Sequence, residues 1–341
     1  MQLETLRKMY DHEGPFATVY LESRFPAEDA EHQAQLRWDE LRNRLAQAGA
    51  PDAVVDHLNA ALERSELTEV QANGRIMVAN ADGVLLDEAF DASQGAGDHV
   101  HWQDQPELGD YLRERQRVVD MLVVVAHQTG ATIRQLQVAE DHSLDQQTSE
   151  AVGGDDAVSK LRENGMAHPR IQNRADEVVK QNLREVADDV RDIARRWDPH
   201  VVVLAGEVQG RSALRDELAD EQLQLHEIDQ GGTDDATAEA MLADELRALA
   251  HQLTRQRSEG NVERYEYGLA HNTALAGAKA VSQSAEQGAV ETLLLEYDRP
   301  ASDEAELVAA ALRTGADTEL IDTEVEDGVA ALLRFEAATS S

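Results

Sequence analysis

Apolar and polar positions recur along this chain with two periods, and the changes of period mark its elements. Gly14-Pro15 breaks a short N-terminal helix, and Phe16 to Leu21 carries the β-branched and aromatic residues of a strand. Pro26 opens a long helix to about Ala48, with Leu36, Leu41 and Leu45 read as one side of it, and Pro51 opens another to about Glu66. Two apolar segments, Arg75 to Ala79 and Val84 to Phe90, flank Asn80-Ala81-Asp82-Gly83 and predict a hairpin. Asp91 to Asp98 reads as a loop, and the stretch around Pro106 to Gln116 as a bridge into the next domain.

Val118 to Ala126 is the most apolar strand of the chain, and His127-Gln128-Thr129-Gly130 turns it into a second, Ala131 to Val138. From Glu140 to about Pro169 no period is usable, which predicts a long loop, and such loops are usually functional. It feeds a helix from about Arg170 to Trp197, whose Leu183, Val186, Val190, Ile193 and Trp197 form one stripe. A strand (His200 to Ala205), a short helix (Ser212 to Ala219) and a last strand (Leu223 to Ile228) follow.

After the Gly231-Gly232-Thr233 turn the pattern predicts helices over Ala236 to Glu259 and Ala270 to Gln287. Strand Val290 to Tyr297, helix Asp303 to Thr314, strand Glu319 to Ile321 and an apolar end, Gly328 to Phe335, complete it. The expected fold is α/β (α+β) in three domains. These are an α+β domain over 1–112, a mixed-sheet α/β domain over 113–230 with a long basic loop at 140–169, and a small α/β/α sandwich over 231–341.

Composition narrows the chemistry. The 341 residues contain no cysteine, which excludes disulfides, thiolate metal sites and a cysteine nucleophile. No apolar run longer than Met121 to Ala126 occurs, and the N-terminus lacks a signal-peptide core, so a cytoplasmic location without a membrane partner is expected. Acidic side chains number 67 against 31 basic ones, a formal charge of −36. Only Lys8, Lys160, Lys180 and Lys279 are lysines, a balance that suits a proteome adapted to high salt, where screening is short-ranged. Global charge is then no argument against an RNA partner, and local deviations matter more.

The clearest deviation is Lys160 to Arg196, a net basic segment in an acidic chain. Lys160, Arg162, Arg170 and Arg174 stand there against the single acid Glu163 before Asp176, in a loop entering a helix, an arrangement suited to phosphate contact. The alternative is a solvated helix laced with i,i+4 ion pairs. Elsewhere, Leu204 to Ser212 (LAGEVQGRS) has a glycine at a strand end but fits neither a Walker loop nor a dinucleotide fingerprint, and reads as a tight turn with Glu207 near the helix start. His99 and His101 share a strand face and could ligate zinc with a third residue, but no HExxH occurs and they read as surface or interface histidines; Asp155-Asp156, Asp188-Asp189 and Asp234-Asp235 read as solvated faces, and no metal or cofactor is expected. Asp120 interrupts an apolar strand and is the one carboxylate with a nuclease-like reading, against an edge position or an arginine partner.

Five segments in order carry a family resemblance: EGPFATVYLE (Glu13 to Glu22), VVVAHQTGATIRQLQ (Val123 to Gln137), DPHVVVLAGEVQGRSAL (Asp198 to Leu214), AGAKAVSQSAEQGAVETLLLEYD (Ala276 to Asp298) and DGVAALLRF (Asp327 to Phe335). Together they resemble the archaeal and eukaryotic release factors and Pelota. More closely, they resemble the second bacterial family related to them, which includes the ribosome hibernation factor Balon and its actinobacterial relatives. The resemblance implies a three-domain release-factor fold, ribosomal A-site occupancy with rRNA contact, and a tRNA-delivering elongation factor GTPase as a further partner. It also implies a Gly-Gly-Gln in the middle-domain loop, and this chain departs from it. Laid on the loop, the motif falls on Asn164-Gly165-Met166, followed by Ala167, His168 and Arg170, so only the central glycine is kept. The earlier Gly153-Gly154 precedes Asp155, whose charge opposes the developing charge of ester hydrolysis. No Asn-Ile-Lys-Ser codon-reading motif occurs in the first domain. The expectation is a non-enzymatic hibernation or stress factor with no catalytic residue. Lys160, Arg162, Asn164, Gly165, Met166, His168, Arg170 and Arg174 are its expected rRNA contacts. Its rivals are a peptidyl-tRNA hydrolase or rescue factor using Gln172 or His168, and a nuclease using Asp120.

Overall fold

A computed structural model describes residues 2–22, 30–64, 74–90, 97–127, 130–139, 143–152, 169–219, 222–229 and 236–336. The fold is mixed α/β with three sheets, and the chain divides into two compact units, Val118–Thr254 and the combination of Met1–Arg117 with Arg255–Ser341.

The Val118–Thr254 unit is built on a sheet of order β7-β6-β5-β8-β9, with β5 Val119–His127, β6 Gly130–Val138, β7 Ser143–Val152, β8 Val201–Gly206 and β9 Leu225–Glu227. β5 pairs antiparallel with β6 and parallel with β8. Its apolar run from Met121 to Ala126 follows from burial on both faces. Val119, Met121, Val123 and Val125 meet Leu242, Leu246 and Leu249 of helix α7 (Ala236–Ala270), whose residues up to Thr254 belong to this unit. Leu122, Val124 and Ala126 pack in the other core with Leu183, Val186 and Val190 of α5 (Pro169–Trp197) and Leu214 of α6 (Val208–Leu218).

The other unit holds two sheets. The first, β3-β2-β1-β4, is antiparallel and comprises β1 Phe16–Glu22, β2 Gly74–Asn80, β3 Gly83–Ala89 and β4 His99–Gln103. One face packs on α2 (Ala30–Gln47) and α3 (Asp52–Arg64); the other joins a core with α1 (Gln2–Met9) and α4 (Gly109–Arg117). The second sheet runs β10-β13-β11-β12, from Ala274–Ala276, Val329–Leu333, Val290–Glu296 and Asp317–Ile321. Alternation sends Leu293, Leu295 and Ala331 to α8 (Ala278–Glu286) and α9 (Glu304–Arg313), and Leu294 and Ala330 to Tyr265 near the end of α7.

Several elements differ from expectation. The predicted 140–169 loop begins with β7, an edge strand in antiparallel register with β6 from Val138↔Ser143 to Gly130↔Val152. Its polar residues hide it, because one row of backbone hydrogen bonds holds an edge strand without an apolar run. α7 does not stop at Glu259: it passes through Gly260, and Val262, Tyr265 and the buried Asn261, whose amide donates to the Leu320 carbonyl at 3.0 Å, anchor the continuation. The expected helix from Ala270 is instead the short strand β10 followed by α8. The buried side of α2 is Trp38, Leu41 and Leu45, whereas Leu36 is 51% exposed, five residues and a wrong angle from Leu41. The expected bridge is the buried helix α4.

Candidate nucleic-acid interface

The register of the β7-β6-β5-β8-β9 sheet brings its chain ends together. Ala126 pairs with Gly206, His127 with Gly130, and Gly130 with Val152, so β5, β7 and β8 all end at one sheet edge. The segment 153–168 leaves from that edge and lies outside the described residues, and with it Lys160, Arg162, Asn164, Gly165, Met166 and His168. Arg170 and Arg174 lie in the first two turns of α5, which opens on Pro169, a residue suited to a helix start because no partner is needed there for its missing N–H.

The far end of α5 is pinned. Asp198 adopts φ 55°, its N–H donates to the Ala194 carbonyl at 2.8 Å, and the His200 N–H donates to the Asp120 carbonyl at 2.9 Å as the chain enters β8. A helix of 29 residues is about 43 Å long, whereas the nine-residue β5 spans about 30 Å. With the C-terminal end tied, the surplus falls at the N-terminal end, beyond the edge where the strands finish. Arg170 and Arg174 are carried there.

At the same edge Gly206 makes the strand-to-helix turn. Its φ is +90°, and a Cβ there would lie 2.2 Å from the Ala126 carbonyl oxygen, which accepts the Glu207 N–H at 2.9 Å. LAGEVQGRS is therefore a tight turn, with Glu207 at the N-cap position of α6. The buried Arg211 guanidinium is held by Glu227 at 3.0 Å, Asp229 at 2.6 Å and the Ile228 carbonyl at 2.8 Å.

Further along α5 the basic side chains have carboxylate or carbonyl partners. Arg184 Nε lies 3.3 Å from Glu217 of α6; Arg191 reaches Asp188 at 2.8 Å and donates to the Glu217 carbonyl at 2.6 Å. Arg195 reaches Asp192 at 3.0 Å, and Arg196 Nε donates to the Asp192 carbonyl at 3.1 Å. Between Gln181 and Leu218 the sequence holds six arginines (Arg184, Arg191, Arg195, Arg196, Arg211 and Arg215) against eight carboxylates (Glu185, Asp188, Asp189, Asp192, Asp198, Glu207, Asp216 and Glu217). The later turns of α5 thus carry the ion pairs of a solvated helix, at i,i+3 in place of the expected i,i+4 spacing. The Asp188/Arg191 and Asp192/Arg195 spacings were legible in the chain; Glu217, supplied by another helix, was not.

Asp120 and His99, the other candidates, are engaged by neighbouring side chains. Asp120 Oδ1 accepts from the Gln137 amide at 3.0 Å, and the Asp120 N–H donates to His200 Nδ1 at 2.9 Å, at the opposite sheet edge. His99 stacks on Tyr20 with centroids 4.2 Å apart, and burial, then the neighbouring His99, lowers the pKa of His101. No group of three or more metal-ligating side chains occurs, and no helix is long and apolar enough to cross a membrane, among the described residues.

Two uncharacterised proteins from two strains of Mycobacterium tuberculosis are each 25% identical to this chain over 99% of its length and 98% of theirs. Solved structures that align with it include the archaeal translation termination factor aRF1, at 18% identity and a TM-score of 0.24 over 98% of this chain and 97% of that one. Archaeal Pelota, from a model of its ribosome-bound form with ABCE1, aligns at 15% and 0.44 over 98% and 95%. S. cerevisiae Dom34, a translation termination-like factor, aligns at 11% and 0.43 over 98% and 93%. The family model that matches covers the sheet of order β7-β6-β5-β8-β9 from Asp120 onward and the whole of α7. Residues 120–271 match the model of bacterial archaeo-eukaryotic release factor family 2, the family that the sequence resembles.

Proposed function

We propose that the protein binds the ribosome without hydrolysing peptidyl-tRNA, as a hibernation or stress factor that occupies the A site in the cytoplasm. One observation carries this reading: within a segment of release-factor family, the loop has Asn164-Gly165-Met166 where the catalytic Gly-Gly-Gln would stand. Met166 has no amide side chain, and Asn164 lacks the backbone freedom of glycine. Lys160, Arg162, Arg170 and Arg174 supply the phosphate contacts, with Asn164, Gly165, Met166 and His168 against rRNA between them. The tRNA-delivering elongation factor GTPase is the protein partner of this reading. The acid excess and the scarcity of lysine support a cell interior of high salt, in which such a chain meets RNA without strong global repulsion.

Sucrose-gradient cosedimentation in high-potassium buffer tests the site. The wild type is expected with intact ribosomes, and Arg170→Glu with Arg174→Glu is expected at the top of the gradient. Unchanged comigration of that double variant would remove the contact residues from the proposal.

A further inference from the structure

We infer that the exposed α5–α6 surface is closed to polyanions, so that RNA contact stops before Arg184. The inference rests on the ribosome-binding reading and adds a boundary to it. Arg184, Arg191 and Arg195 each meet a carboxylate at 2.8 to 3.3 Å, and Arg196 is engaged by the Asp192 carbonyl. Single exposed pairs are weak and would open to a phosphate that offered better geometry. Opening them here leaves the displaced carboxylate beside the phosphate, in a stretch whose acids outnumber its arginines. The like charges then oppose the contact that the freed arginine makes.

α5 is thus polarised along its length. Before its third turn the basic residues meet few acids in sequence; after Asn182 the charges are matched. A helix lying along RNA would present cations over its whole flank. This one has unmatched cations only in the sequence of its first two turns.

Salt dependence reads the difference, because each phosphate neutralised adds about −0.7 to −0.9 to the slope of log affinity against log salt. With the flank closed, the four basic residues of the proposed function, Lys160, Arg162, Arg170 and Arg174, give a slope of about −3. Flank contact that also enlists Arg184, Arg191, Arg195 and Arg196 gives about −6 to −7.

The test uses the full chain, purified ribosomes and a potassium chloride series. Arg184→Ala, Arg195→Ala and Arg196→Ala combined should change the Kd less than about twofold and leave the slope unchanged. Asp188→Asn, Asp192→Asn and Glu217→Gln combined should open the surface, tightening binding several-fold and steepening the slope by about 2. A tenfold loss in the arginine variant, with its thermal unfolding unchanged, would overturn the inference and leave the ribosome reading in place. Wild-type protein that binds no ribosomes would remove that reading and this inference with it.

Discussion

The two units use the same chemical pair, arginine with carboxylate, in opposite settings. In the unit that joins both termini, Arg113 of α4 and Glu304 of α9 meet through two hydrogen bonds of 2.6 and 2.7 Å, with side chains only 8% and 5% exposed. Gly109 leaves room for them, since a Cβ there would lie 1.9 Å from Glu304 Oε1. The second Glu304 oxygen also accepts the Ala301 N–H at 2.9 Å. Burial opposes the charge on Arg113, but the Glu304 hydrogen bonds and charge outweigh it and raise its pKa. In the Val118–Thr254 unit the pairs of α5 lie in solvent, with Arg195 73% and Asp192 64% exposed. The buried pair specifies how two helices pack; the exposed pairs set the potential that an approaching ligand meets.

Removing one partner separates the two roles most sharply. Glu304→Ala leaves a buried, unpaired guanidinium and should cost about 3–5 kcal/mol in urea unfolding. A cost near zero would mean that Arg113 reaches water and that the contrast is false. Arg211→Ala is the intermediate case, because its guanidinium is buried whereas Asp229 is 90% exposed and can be hydrated on losing it. A loss of about 1–3 kcal/mol is expected there, mostly from its hydrogen bonds.

Glu319 offers a pH test in the first of these units. Burial raises its carboxyl pKa, against the lowering effect of Arg257 and of the hydrogen bond from Asn261. A raised carboxyl pKa means the folded state holds the proton more tightly, so its contribution is full below the unfolded value and is lost as pH rises through the folded one. Glu319→Gln should therefore raise Tm at neutral pH and converge on the wild type near pH 4, within about half a unit. The smallest effect belongs to the exposed flank: Arg195→Ala should change unfolding by no more than about 0.5 kcal/mol.

What was legible in the chain follows the same division. β5 and the buried stripe of α5 were readable because both-face burial writes an unbroken apolar run and a 3–4 spacing into contiguous residues. β7 was not, since an edge strand is fixed by its neighbour's backbone, and β10, at three residues, is too short for any period. The Arg113–Glu304 pair is invisible to local reading because its partners stand 191 residues apart. At the candidate interface the basic excess was legible as a local charge count. Its division along α5 needed Glu217, brought across by the α5–α6 packing.

The most direct measurement is peptide release from stalled ribosomes carrying labelled peptidyl-tRNA, made while binding is followed in the same reaction. The account predicts saturable binding with release no faster than without the protein. Release that rises with occupancy, and is lost when Gln172 or His168 is replaced, would contradict it and make the chain a hydrolase.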